Sequence, residues 1–402
     1  MTRVSLRALA PIRAAARTAT FFLKVLPMLP SRPVDWVTAT PVVEKVRYPT
    51  RVGEAQGDLY RPPGRGPHPG MLVSLGVVPF EVDHPQVPIL GRALARSGFE
   101  ALMYWSPTMR DFRLEPEDVL DIALAYRWLI ERPDVDPSRS GLLGTCVGGS
   151  FALMAAANPL VRDRVAFVAE WAAYASMWTF ARDIASATRP AGGTREPWQV
   201  DPLTRKVFVQ SMTAVLDTSE AELLRAALAE PTGSVDIAAL SGDGRAIYPL
   251  LTALDANGAE QALQRLPAKL RERLDALSPI GYLKEIRAPL ITIAHDRDDA
   301  VIPVDESRQV WSALAGRAGV HYTELGMFQH MDPTKKRVSP LVMVRELAKF
   351  YHLVYPLFRQ AVRTGAEIAP ELDVRQTGRG SDDRSLPGPP LTVGGEAFGH
   401  VG

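Results

Sequence analysis

The most constraining stretch of this chain is Gly144-Thr145-Cys146-Val147-Gly148-Gly149. A short apolar run, Ser140-Gly141-Leu142-Leu143, precedes it, and a helix-like run from Ser150 to Ala157 follows. Strand, Gly-x-Cys-x-Gly, helix is the layout of a very sharp turn that lifts one side chain above a sheet edge. Residues two positions to either side must be small, because a Cβ there would strike the adjoining strand or helix. Gly144 and Gly148 meet that condition. The helix beginning after Cys146 brings partial positive charge to the sulfur, which favours a nucleophilic thiolate. Alone, the box equally suits an inert buried cysteine or a phosphate-binding turn.

The chain around it is organised as alternating strands and helices. Val42–Tyr48 and Gly57–Tyr60 read as an antiparallel pair at a sheet edge. Met71–Leu75 and Phe99–Trp105 are apolar strands, separated by a helix over Val87–Ser97 that stops at Gly98. Glu117–Glu131 carries Val119, Ile122, Ala123, Tyr126 and Leu129 on one helical side. After the box comes the strand Val165–Ala169, ending at Glu170 and Trp171. Between about Ala172 and Ser278 no strand is evident. Helical pieces such as Leu203–Leu216 and Ala221–Glu230, the latter with a Ser219/Glu222 capping box, describe an all-helical insertion. Strands resume at Pro289–Ala294 and Val320–Leu325, with a helix near Val304–Leu314 between them and a last helix over Pro340–Arg363, broken near Pro356. This rhythm predicts an α/β chain with a mostly parallel central sheet and helices on both faces. Residues 1–40 form a basic extension, 41–171 and 279–364 the core, 172–278 a helical cap or lid, and 365–402 a disordered tail rich in Gly, Pro and Ser.

Composition narrows the function classes. There are 46 Lys and Arg against 45 Asp and Glu, a net charge of +1, so no general nucleic-acid affinity is implied. The single cysteine rules out an internal disulfide and any Cys-rich metal site, and suits a reducing cytoplasm. No metal signature is present, and no cofactor is expected. The extension holds Arg3, Arg7, Arg13, Arg17 and Lys24 beside Phe21-Phe22-Leu23, and is interrupted too early for a signal peptide or a bilayer span. Packing on the core or disorder is the favoured reading. The other lays it on an anionic membrane surface as a peripheral contact.

A nucleophile needs a base and a group to orient it. Asp296, Asp298 and Asp299 follow one later strand and His330 follows the last; in a parallel sheet these loops open at the same edge as Cys146. The chain order is then Cys, Asp, His.

With Arg132–Arg139, Gly141–Gly149, Asp299–Pro303 and His330 in place, the chain resembles the α/β-hydrolase superfamily, and within it the dienelactone hydrolase-like branch with a cysteine nucleophile. The resemblance covers roughly residues 41–355 and leaves the insertion unmatched. The Gly-x-Cys-x-Gly-Gly box is also similar to that of polyhydroxyalkanoate synthases, whose N-terminal signatures the chain lacks. The resemblance implies that Cys146 attacks a carbonyl, His330 takes the proton and Asp299 orients His330. It places the oxyanion hole at the backbone N–H groups of Val77 and Val147. Asp299 is preferred for its position four residues before Pro303, with Asp296 and Asp298 as competitors. Glu170 is a candidate alternative acid or substrate contact, or a partner of Arg182. Glu81 and His84 are candidates for the pocket wall, and His295 lies beside the acid loop. His68, His321, His352 and His400 read as structural or solvated. In the lid, Trp178, Phe180, Trp198, Phe208, Met212, Tyr248 and Tyr282 suit an acyl pocket, although packing as the lid's own core is the simpler reading for most. The expected partner is a small-molecule acyl substrate. The leading expectation is hydrolysis of carboxylic esters, lactones or thioesters. Acyl transfer to another acceptor and a non-catalytic binding protein on the same fold are the alternatives.

Overall fold

The computed structural model describes residues 3–78, 84–229, 235–330 and 338–363. Chain order begins with helices α1 (Arg3–Val25) and α2 (Arg32–Val37), then strands β1 (Val42–Thr50), β2 (Gly53–Arg61) and β3 (His68–Ser74). Helix α3 (Gln86–Arg96), β4 (Glu100–Tyr104), the short α4 (Pro107–Arg110), α5 (Asp118–Ile130), β5 (Val135–Thr145), α6 (Val147–Ala157) and β6 (Phe167–Trp171) follow. The eight-stranded sheet is completed by β9 and β10, defined below. Its order is β1-β2-β4-β3-β5-β6-β9-β10, antiparallel at β1/β2 and β2/β4 and parallel elsewhere.

The inner strands are buried on both faces, which is why they read as apolar runs rather than alternating ones. In β3, Leu72 joins one core with Ile122 and Phe151, while Met71 and Val73 join the other with Phe99 and Phe167. Helices α5 and α6 cover the first face; α3, α1 and the last helix cover the second. Together, this strand order and the helix following β5 at a sharp turn make the α/β-hydrolase fold.

The segment between β6 and β9 holds α7 (Met177–Ser186), β7 (Thr188–Ala191), β8 (Thr194–Pro197), α8 (Pro202–Met212), α9 (Thr218–Ala229), α10 (Gly242–Leu251), α11 (Ala256–Gln264) and α12 (Ala268–Ala276). The expectation of an all-helical insertion is corrected by the β7/β8 hairpin. Gly192 and Gly193 both have positive φ, 55° and 88°, so they form the tight turn that Gly-Gly favours between strands. The strands themselves are too short to show alternation. The expected Ser219 cap is also displaced by two residues: α9 starts at Thr218, and the Asp217 carboxylate accepts from Glu220 N–H at 2.9 Å.

The chain closes with β9 (Leu290–Asp296), α13 (Val304–Ala313), β10 (Val320–Leu325) and α14 (Pro340–Ala361). Helix α14 runs through Pro356 without the expected break. Its buried stripe of Phe350, Leu353, Leu357 and Phe358 keeps both halves on the core despite the missing N–H. Helix α1 packs here too, with Phe22 against Phe350 at 4.7 Å between ring centres and Phe21 against Phe358 at 5.7 Å. The apolar cluster of the extension is thus spent on α14. Among the described residues, no helix is long and apolar enough to cross a membrane. The tail from 365 lies outside the described residues.

Phe22→Ala should lower the unfolding free energy by about 3 kcal/mol in urea denaturation, as for other buried phenylalanines. An unchanged midpoint would show that α1 does not contribute to the core.

Candidate functional site

Cys146 sits on a tightly packed turn between β5 and α6. Its φ of 55° and ψ of −140° are costly for any residue with a Cβ, of order 1–3 kcal/mol. Packing imposes them. A Cβ on Gly144 would lie 2.4 Å from the carbonyl oxygen of Gly148, and one on Gly148 would lie 2.4 Å from that of Ser74. Strands β3 and β5 and the first turn of α6 therefore meet backbone to backbone. The Cys146 N–H donates to Trp171 O at 2.8 Å and its carbonyl accepts from Gly149 N–H at 2.9 Å. The residue is 9% exposed and lines a cavity of about 1270 Å³. Val77 and Val147 line the same cavity. Among the described residues no protein acceptor takes either N–H.

Asp299 and His330 reach this cavity from the loops after β9 and β10. The buried Asp299 carboxylate accepts through Oδ1 from Val301 N–H at 2.7 Å and Ile302 N–H at 3.0 Å. Its Oδ2 lies 2.8 Å from His330 Nδ1. Burial alone would raise Asp299, but the charge of His330, its hydrogen bond, His295 and the Ile302 N–H together hold the carboxyl below its ordinary value. Burial works against charge on His330 as well. The negative charge of a Cys146 thiolate and of Asp299, each accepting a hydrogen bond from the ring, outweighs it and keeps the imidazole protonated well above the ordinary histidine range.

The competing aspartates have other work. Asp296 is buried and accepts from Asp298 N–H at 3.0 Å and Phe328 N–H at 2.6 Å, so it ties the end of β9 to the loop that carries His330. Asp298 is exposed. Only the folded arrangement of these loops separates the three.

Glu170 does not line the cavity. Arg182 instead pairs with Asp183 and lies 3.9 Å from Glu260. The Glu170 carboxyl sits behind the site, accepting from Ala173 N–H at 3.1 Å and lying 3.5 Å from Ser307 Oγ. Ser307 Oγ is 2.7 Å from His295 Nδ1, and His295 Nε2 is 2.9 Å from Ile302 O and 3.5 Å from Asp299. Burial lowers His295 and raises Glu170 to about 8, so both are neutral near pH 7. A neutral His295 donates from Nε2 to Ile302 O, leaving Nδ1 to accept from Ser307. This buried set has no local sequence signal, since its members come from β6, β9 and α13.

His84 lies at the start of α3, its Nδ1 accepting from Gln86 N–H at 3.4 Å, away from the cavity lining. Glu81 falls outside the described residues. Of the lid side chains, Phe180, Phe208 and Met212 line the cavity. Trp178 instead donates to Asp275 at 2.7 Å, Trp198 to Ala300 O at 3.1 Å, and Tyr282 OH to Ala276 O at 3.4 Å. Tyr248 is half-buried and is not part of the lining. Among the described residues no group of His, Cys, Asp and Glu is arranged to hold a metal.

No family model matches the chain. Bile acid-CoA:amino acid N-acyltransferase of Mus musculus is 27% identical over 134 residues, 33% of this chain and 31% of that protein. The chain therefore aligns with less than a third of the relative's length. An acylaminoacyl peptidase solved with Z-Gly-Gly-Phe-chloromethyl ketone superposes with a TM-score of 0.49 and 16% identity, over 83% of this chain and 44% of that one. The α/β hydrolase GrgF from Penicillium sp. sh18 gives 0.47 and 16%, over 78% and 99%.

Two measurements address the site. Alkylation of Cys146 by iodoacetamide at neutral pH should slow in His330→Ala, because the imidazolium facing the sulfur is gone; equal rates would remove that pairing. Glu170 supplies the second. Its native carboxyl keeps a proton that the unfolded chain, at its ordinary 4.5, releases. The associated stability is complete below about pH 4.5 and is lost as pH rises towards 8. Glu170→Gln should flatten the fall in urea midpoint between about pH 5 and 8. Parallel curves for the two proteins would show that Glu170 is ionised in the fold.

Proposed function

We propose that this protein is an enzyme that cleaves a carboxylic ester, lactone or thioester through an acyl-cysteine intermediate. The observation that carries the reading is the strained Cys146 at the head of α6, facing a His330 that is hydrogen-bonded to Asp299 at 2.8 Å. In this reading the Cys146 sulfur attacks the acyl carbon. His330 holds the thiolate as an ion pair, then gives its proton to the departing oxygen or sulfur. Asp299 fixes the ring orientation and stabilises the imidazolium. The N–H groups of Val77 and Val147 would receive the oxyanion. Water, activated by His330, then breaks the acyl–sulfur bond and frees the acid.

Within the dienelactone hydrolase-like resemblance of the motifs, a compact lactone would fill little of the 1270 Å³ cavity, so larger acyl groups suit the site better. Transfer to an amine or alcohol instead of water is the second reading. It is favoured by the partial likeness to an N-acyltransferase and by a reactive sulfur only 9% exposed. A non-catalytic binding role has no comparable support, since it leaves the Cys146–His330 pairing without a purpose.

Mixing the protein with an activated acyl ester or thioester should add one acyl mass to the intact chain, and Cys146→Ala should abolish it. Turnover by Cys146→Ala should fall by at least a thousandfold. Decay of the acyl-enzyme in water alone would support hydrolysis, and decay only with an added amine or alcohol would support transfer. The rate should decline at alkaline pH well above the ordinary histidine range, as His330 loses its proton. Acylation that persists without Cys146 would overturn the reading.

A further inference from the structure

The charges around the Cys146 cavity are unevenly placed. On the lid side its wall is apolar, with Met177, Phe180, Ile184, Val207, Phe208 and Leu274. The charged groups on that side are already engaged. Asp201 caps α8 by accepting from Thr204 N–H at 3.1 Å, and Arg273 holds Glu115 at 2.8 Å. The lining contributed by α1, α2 and α3 is also partly apolar, with Val25, Val87 and Leu90, but it carries Lys24, Arg92 and Arg96 with one carboxylate, Asp35. Asp35 lies 2.8 Å from Lys24 Nζ and 2.9 Å from Arg96. Arg92 is exposed and makes no ion pair among the described residues. Among the described lining residues, three cations share one carboxylate here, in a chain whose overall charge is only +1. An unbalanced charge at the end of an apolar-walled cleft concentrates anions there. Lys and Arg presented from separate helices suit a multiply charged oxyanion, and phosphate carries close to two charges near pH 7.

We propose, resting on the acyl-cysteine reading above, that the substrate is a medium- or long-chain acyl ester or thioester whose leaving group carries phosphate. The acyl chain lies along the lid wall, the reacting carbon at Cys146, and the phosphate at Lys24, Arg92 and Arg96. A new bond forms between Cys146 sulfur and the acyl carbon. The bond to the leaving oxygen or sulfur breaks, and the leaving group departs with the proton from His330. The extension before residue 40 is then part of the binding site. Two sources share this chemistry, a coenzyme A thioester and a phospholipid ester.

The test uses the full chain carrying Cys146→Ala, so that binding is read without turnover. Calorimetry compares decanoyl-CoA, acetyl-CoA, decanoyl-N-acetylcysteamine, 1-decanoyl-lysophosphatidate and 1-decanoylglycerol. At least one anionic decanoyl ligand should bind ten times more tightly than both its uncharged counterpart and acetyl-CoA, and the tighter of the two identifies the source. Adding Arg92→Glu should narrow the charged-to-uncharged ratio at least tenfold, and raised salt should narrow it too. Equal binding of charged and uncharged ligands, no dependence on chain length, or a ratio unmoved by Arg92→Glu would each overturn the proposal. Selective binding without any acylation of wild-type Cys146 would overturn the acyl-cysteine reading instead.

Discussion

Everything at this site depends on a backbone-to-backbone contact. Strands β3 and β5 and the first turn of α6 approach so closely that Gly144 and Gly148 have no room for a Cβ. That contact drives Cys146 into its strained conformation and sets its sulfur at the mouth of a buried helix. The neighbouring parallel strands then deliver their following loops to the same edge. Asp296 and Asp299 stabilise those loops with their carboxylates, one gripping Phe328 N–H, the other Val301 and Ile302 N–H.

The sulfur's position was legible because close approach demands small residues at set spacings, and such a demand is written locally. So were the inner strands, whose burial on both faces leaves continuous apolar runs. The acid was less so. Asp296, Asp298 and Asp299 differ by a few positions in one loop, and their separate partners arrive from distant strands. Local propensity predicts a break of α14 at Pro356, and it takes no account of the stripe of Phe350, Leu357 and Phe358 that holds the helix to the core. The Gly192-Gly193 turn is a local signal, but the four-residue strands beside it show no period. The role of Lys24 and Arg96 in a cavity wall had no local signal at all, since α1, α2 and α3 meet only in the folded chain.

Behind the cavity the fold keeps carboxyls where water cannot reach them. Glu306, on α13, is raised to about 7 by burial and accepts from Ala175 N–H at 2.8 Å, Ser176 N–H at 3.2 Å and Thr179 Oγ1 at 2.7 Å. It therefore fastens the beginning of the lid. The next residue, Ser307, reaches His295 and Glu170. One turn of α13 thus anchors both the lid and the hydrogen-bonded layer beneath Asp299. Such buried polar layers are costly when incomplete, which makes them effective at selecting a single arrangement.

The pairing of α1 with α14 joins the earliest described helix to the latest. During synthesis the Phe21 and Phe22 side chains emerge well before α14 and have no α14 to cover them until the far end of the described chain has left the ribosome. The cavity wall formed by the end of α1 is then among the last parts of the site to be secured.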